Sequence, residues 1–330
     1  MNGMKCSFFL LAILFCCQAH TQPLSQIKVS GNKFVTASNQ TIVFQGLDTS
    51  DPFKLKRDGQ WNKRYFQEMK NWGANIVRFP VHPANWRALG SEAYMQLLDE
   101  GIQWATELQL YVIIDWHSIG NLKTGKFFRP SYETTIEETN QFWQTMAKRY
   151  GKNSTVAFFE LFNEPVNNNE FGTCTWAEWK ALQEDMIAII RAEGALTVPL
   201  AAGFNWGYDL IEAGANPIAA TGIGYVSQPY PMKQEKPWPD KWTKDWGFMA
   251  DKYPLILTEI GFSGKEEKGA HVPVISDESY GDAITAYCKE KGISYTVWCF
   301  DPNWGPMLIS DWNFNTTRQG KYFKQAWLTK

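Results

Sequence analysis

Val112-Ile113-Ile114-Asp115-Trp116-His117 is an apolar run that stops abruptly in polar and aromatic groups. A strand wetted on one face alternates apolar with polar side chains, whereas a strand covered on both faces is apolar throughout. Leu255-Ile256-Leu257-Thr258-Glu259 repeats the pattern. Outward from these two, β-rich runs recur at 42–47, 75–79, 110–115, 156–161, 197–202, 222–227, 254–259 and 294–299, eight in all. The segments between them carry helical spacing, as in Tyr94-Leu97-Leu98-Ile102, Phe142-Met146, Trp179-Leu182-Met186-Ile190 and Ala283-Ile284-Tyr287. Alternating strands and helices imply crossover units and a parallel sheet. An open doubly wound sheet would want a glycine-rich phosphate turn after its first strand, and Gln45-Gly46-Leu47-Asp48-Thr49 is not one. Eight units predict an α/β chain folded as a (β/α)8 TIM barrel, a fold of typically about 250 residues with room for longer loops. A short N-terminal β-hairpin precedes it: Ile27-Lys28-Val29, a turn at Ser30-Gly31-Asn32, then Phe34-Val35.

The 330 residues carry 32 basic and 34 acidic side chains, a balance that gives no general attraction to nucleic acid or to an acidic membrane. The 16 Trp, 13 Tyr and 21 Phe fit either an aromatic core or a cleft that stacks against sugar rings, and composition does not choose between them. Lys5, the apolar run from Phe8 to Cys17 and the polar turn from Gln18 to Gln22 read as an export signal, with cleavage after Ala19 or Thr21. The expected organisation is therefore a signal peptide at 1–21 and a catalytic barrel at 22–330, secreted or periplasmic and monomeric. Cys174, Cys288 and Cys299 survive processing. An odd set makes no disulfide framework, and a strand's length should separate Cys288 from Cys299, so all three are expected as buried thiols.

Barrel sites lie at the C-terminal ends of the strands. Those ends read Arg78-Phe79-Pro80, Asp115-Trp116-His117, Asn163-Glu164-Pro165, Gln228-Pro229-Tyr230, Thr258-Glu259-Ile260-Gly261 and Trp298. Glu164 and Glu259 follow the fourth and seventh strands, which face each other across the mouth. Two opposed carboxyls are what cleavage of a glycosidic bond requires: an acid for the leaving oxygen, and a nucleophile or base opposite. Singly, each residue has a plainer reading, Arg78 as an ion pair under the barrel and His117 as a core histidine. His82, beside a turn expected at Pro80 and Pro83, would support loops. With four histidines in all, no metal site and no cofactor are expected.

Phe158-Phe159-Glu160-Leu161-Phe162-Asn163-Glu164-Pro165 resembles the strand-4 signature of glycoside hydrolase family 5, the cellulase-like branch of the retaining (β/α)8 clan; Ala157 is smaller than the residue usual at its start. The resemblance covers essentially the whole mature chain. It implies Glu164 as acid/base, Glu259 as nucleophile, Asn163 on the sugar 2-hydroxyl, Arg78 and Tyr230 on the nucleophile, His117 at the cleavage subsite and Trp298 as its stacking floor. Gln228 departs from the His usual two residues before that tyrosine, and it hydrogen-bonds without titrating. Trp206, Trp238 and Trp304 are further candidates for sugar contact. The expected substrate is a β-1,4-linked polysaccharide, cut internally in an open cleft, with β-1,4-glucan ahead of mannan. The rival of another class is a carbohydrate-binding pseudoenzyme, which would keep the tryptophans and lose the carboxylates.

Overall fold

The computed structural model describes residues 23–328, so the expected export signal lies outside the described residues. Eight parallel strands close into a barrel in chain order: β1 (Gln45–Asp48), β2 (Ile76–Val81), β3 (Tyr111–Trp116), β4 (Val156–Glu160), β5 (Val198–Ala202), β6 (Gly224–Ser227), β7 (Leu255–Ile260) and β8 (Ser294–Val297). Closure is made by β8 against β1, with Tyr295 opposite Gln45 and Val297 opposite Leu47. Helices over Ser91–Glu107, Ile136–Tyr150, Trp176–Ala192 and Glu278–Lys291 bury the apolar positions that their spacing marked, although Leu182 and Ala283 are only partly covered.

Two strand boundaries differ from expectation for local reasons. Ile42 and Phe44 precede β1: the Ile42 amide bonds the Phe34 carbonyl, and Phe44 is fully buried in the floor of the barrel. Pro80 is no turn residue but lies inside β2, opposite Asp115. β1 has already ended opposite Arg78, so β2 is an edge on that side and can carry a proline.

The barrel interior changes character along its axis. Its lower layer is apolar and includes Ile76, Tyr111, Ile113, Phe158, Leu200 and Ile256. The expected hairpin, Lys28–Ser30 against Lys33–Val35, closes this end from below. Phe34 reaches edge-on to Phe158, with ring centroids 4.7 Å apart. The upper layer is polar: Asp48, Arg78, Asp115 and Glu160 are fully buried there. Cys174, Cys288 and Cys299 are buried free thiols.

Gly46 sets how closely β1 and β2 approach. A Cβ at this position would lie 2.0 Å from the Ile76 carbonyl oxygen, which is backbone and cannot swing away. Gly46→Ala should therefore destabilise the barrel by about 1–3 kcal/mol or more. Chemical denaturation checks this; an unchanged midpoint would mean that the strands part without cost.

Candidate active site

The upper layer opens into a cleft of about 1090 Å³, lined by Glu164 and Glu259 together with His82, His117, Asn163, Tyr230, Trp206, Trp298 and Trp304 among others. Glu259 enters it through an irregularity in β7, where the register with β8 shifts between Leu257 and Ile260. An extra residue in a strand breaks the inside–outside alternation and re-aims a side chain. Consecutive Thr258 and Glu259 thus both face inward, the first donating to Glu160 and the second bound by Arg78. Glu164 is held differently, on a two-residue strand, Glu164–Pro165, paired with Ile119–Asn121 at the mouth.

Arg78 is fully buried and bonds in several directions. Its Nε donates to Glu160 at 2.6 Å, Nη1 to Glu259 at 2.9 Å and Nη2 to Asn163 Oδ1 at 2.7 Å, and Nη2 lies 2.9 Å from Asp115. The Tyr230 hydroxyl donates to the other Glu259 oxygen at 2.7 Å. Glu259 is therefore gripped on both oxygens. The Glu164 carboxyl receives no hydrogen bond from another described residue. Burial first, and then the neighbouring Glu259 charge, push Glu164 up to about 8, against the opposing pull of Lys233 and Arg78. The two cleft glutamates are thus held unequally, Glu259 by a guanidinium and a hydroxyl and Glu164 by neither.

A single guanidinium serves more carboxyls than it can neutralise. Burial pushes Asp115 and Glu160 up to about 7, with Arg78 opposing. Asp48 is raised well above the carboxylate range, first by burial. Neither Asp48 oxygen accepts a hydrogen bond, because the nearby Thr296 hydroxyl donates instead to the Thr258 carbonyl at 2.7 Å. Glu160 by contrast accepts from both Arg78 and Thr258. Asp48 is accordingly the carboxyl of this layer that its surroundings drive towards the neutral form with no hydrogen bond to oppose them.

On the opposite wall, Asp115 accepts from His117 Nδ1 at 2.7 Å, which turns Nε2 away from it. Burial holds His117 well below its usual range, so the ring is neutral. It lies parallel to Trp298, with centroids 5.3 Å apart and planes 3° from coplanar, and Trp304 lies beyond Trp298 at 6.0 Å. Asn163 Oδ1 accepts from Arg78 and, at 2.8 Å, from Gln228 Nε2, so Asn163 Nδ2 is the free donor.

The structure brings Glu164, Glu259, His117, Asn163, Tyr230, Trp298 and Trp206 to one cleft. Arg78 and Gln228 stand behind it, both fully buried, and Gln228 acts through Asn163. Trp238 is a core residue and no sugar platform: it is buried and stacked on Trp242 at 5.8 Å. His82, expected to support loops, is tied to Asp51 through its amide at 2.9 Å and also lines the cleft, 4.5 Å from the His117 ring. Sequence reasoning passed over Asp48 and Asp115 as partners and quoted Glu160 only as part of a signature. The spacing Asp115-x-His117, both facing inward from one strand end, was the available signal.

A closed barrel with opposed carboxyls at its C-terminal mouth is the architecture of a class of glycoside hydrolases. The family model "Cellulase (glycosyl hydrolase family 5)" matches residues 35–304, and the chain belongs to that family. It is similar to the β-glucanase SdGluc5_26A from Saccharophagus degradans, solved in complex with cellotetraose: 44% identity, TM-score 0.92, covering 96% of this chain and 98% of that one. It is 26% identical over 281 residues to an endoglucanase of Clostridium saccharobutylicum, a match covering 83% of this chain and 56% of that protein. The chain therefore spans little more than half the length of that relative. The catalytic domain of the Thermobifida fusca endoglucanase Cel5A shares the fold at 18% identity, with a TM-score of 0.73 and coverage of 92% and 97%.

The upward push on Asp48 has a measurable consequence. Its folded pKa is raised, while in the unfolded chain it ionises near about 4. Between these values the native state binds the extra proton, so this group's contribution to stability falls as pH rises. Asn mimics the neutral acid and removes that loss. Asp48→Asn should raise the melting temperature at pH 7, by roughly 2–4 °C for each kcal/mol regained, and leave it unchanged near pH 4. Equal shifts at both values would mean that Asp48 is ionised in the fold.

Proposed function

We propose that this chain is an exported, endo-acting, retaining hydrolase of β-1,4-linked glucan, with Glu259 as nucleophile and Glu164 as acid/base. The observation that carries the reading is the unequal treatment of the two cleft glutamates. Arg78 and Tyr230 clamp both oxygens of Glu259, whereas Glu164 is held only by its backbone and is pushed towards its protonated form.

In the first step Glu259 attacks the anomeric carbon while Glu164 passes its proton to the departing oxygen, leaving a glycosyl ester on Glu259. Esterification removes the Glu259 charge, the chief electrostatic reason for Glu164 to keep a proton. Glu164 then takes a proton from water, which attacks the ester and releases a sugar of unchanged anomeric configuration. Asn163 Nδ2 is the free donor for a sugar hydroxyl, and the Trp298 face offers the stacking floor.

Three exposed apolar side chains on separate loops, Phe128, Met232 and Val272, also line the cleft. An apolar rim continuing from the aromatic floor suits a polymer whose sugar faces extend beyond the cleavage point. The cellotetraose complex of the 44% identical β-glucanase supports glucan as substrate, and the apolar run before residue 22 supports export.

Glu259→Ala should abolish turnover of polysaccharide, and azide should restore part of it by replacing the lost nucleophile. Glu164→Ala should still release dinitrophenol from an activated aryl glycoside, whose leaving group needs no acid. NMR of the first-formed product should show retention. Inverted product, or identical behaviour of the two variants towards azide and activated substrate, would overturn the assignment.

A further inference from the structure

Tyr230 and Lys233 lie on either side of one tight turn, the short helix Pro231–Lys233, in which the Lys233 amide bonds the Tyr230 carbonyl at 3.0 Å. The first residue serves Glu259. The second lines the same cleft and has no part in the chemistry described so far. Its ammonium donates to the Asn205 carbonyl at 3.0 Å and lies 5.1 Å from the centre of the Trp206 ring. Among the described residues, no carboxylate lies within ion-pair distance of it. Its charge is thus directed into the cleft without being cancelled at contact.

The cradle is built against backbone preference. Asn205 and Trp206 both adopt left-handed conformations, with φ of 59° and 55°, and Gly207 follows at 64°. For residues with a Cβ this costs about 1–2 kcal/mol each, and such strain concentrates where a position serves function. Here it supplies both the carbonyl and the ring face that hold Lys233. Gly207 continues the turn towards the site, since its carbonyl accepts from the Gln228 amide at 3.0 Å.

We propose that Lys233 is a positioning residue for the acid/base, its ammonium being the charge that stabilises Glu164 as a carboxylate when the second step calls on it as a base. The inference rests on Glu164 having that role. The charged and titratable groups acting on Glu164 are Glu259 from β7, Arg78 from β2, Asp115 from β3 and Lys233 from the loop after β6; Tyr132 and Tyr230 feel it in turn. Burial pushes Lys233 below the usual lysine range, and the charges of Glu164, Glu259 and Asp209 oppose it and favour the ammonium. In the glycosyl-enzyme Glu259 is a neutral ester. Arg78 remains bound to Glu160 and lies against Asp115, so its charge is largely spent. Gln228 carries no charge and is bonded to Asn163. Of the two cations that act on Glu164, Lys233 and Arg78, that leaves Lys233 uncommitted to another carboxylate.

The test uses Lys233→Met and Lys233→Arg, each confirmed folded by thermal melting, with Lys233→Gln in reserve should Met perturb the loop. In the free enzyme Lys233 favours ionised Glu164. Its removal should therefore move the alkaline limb of kcat/KM on a soluble glucan upward by about one pH unit. On dinitrophenyl β-cellobioside, where the second step limits turnover, the acidic limb of kcat should also move upward, and turnover at pH 5 should fall about tenfold. Arg should keep both limbs in place. An unmoved pair of limbs in Lys233→Met, or a rise in KM alone, overturns the proposal and reduces Lys233 to a sugar contact. A limb that still shifts when Lys233→Met is added to Glu164→Ala overturns it too, because the titrating group is then another. Failure of the Glu164 assignment itself is read separately, from Glu164→Ala with Lys233 intact.

Discussion

A guanidinium enclosed in a barrel must be surrounded by acceptors or it would not remain there. Arg78 satisfies that demand with Glu160, Asn163 and Glu259, and with Asp115 alongside, drawn from β2's neighbour and from strands across the barrel. Each partner is thereby fixed relative to the others, and the proposed nucleophile is fixed by the same cation that balances its charge. Removing one member of such a set leaves a buried group unpaired, which is why the cost of breaking it exceeds the worth of any single bond in it. The apolar layer beneath and the aromatic wall above exclude water from this web, and exclusion is what makes its few charges strong enough to separate the behaviour of two chemically identical glutamates.

Much of this was legible in the chain. Runs apolar on both faces, such as Val112-Ile113-Ile114, require burial on both sides, and a parallel barrel is the economical way to provide it. Once the strands were placed, Glu164, Glu259, His117 and Trp298 followed from their positions at or just past strand ends. The buried acids were harder to see. In sequence Asp48 and Asp115 look like any solvated carboxylate, and only the closure of the ring shows that they crowd one arginine. The irregularity in β7 was equally hidden, because a break in alternation at Thr258-Glu259 reads as an ordinary strand end. Tryptophans were ambiguous for a related reason: Trp206 and Trp238 are alike in composition, yet one is held at the cleft by a left-handed turn and the other is stacked in the core.

Gln228 illustrates how a polar residue can matter without touching substrate. By donating to Asn163 Oδ1 it joins Arg78 in fixing which way that amide faces, and Nδ2 is left as the amide atom without a partner. A neutral donor suffices for this. The positive charge that acts on Glu164 then comes from elsewhere, from Arg78 and from Lys233 on the loop after β6.

The hairpin beneath the barrel bears on the order in which the molecule can be assembled. Phe34 is seated against Phe158, and a Cβ on Gly224 would come within 2.9 Å of its ring. These partners belong to β4 and β6, so a segment made early in synthesis has its binding surface completed only when much of the chain has left the ribosome. Until then Phe34 lacks its full seat. The full seat of this stopper therefore exists only once β4 and β6 stand side by side with the rest of the barrel floor.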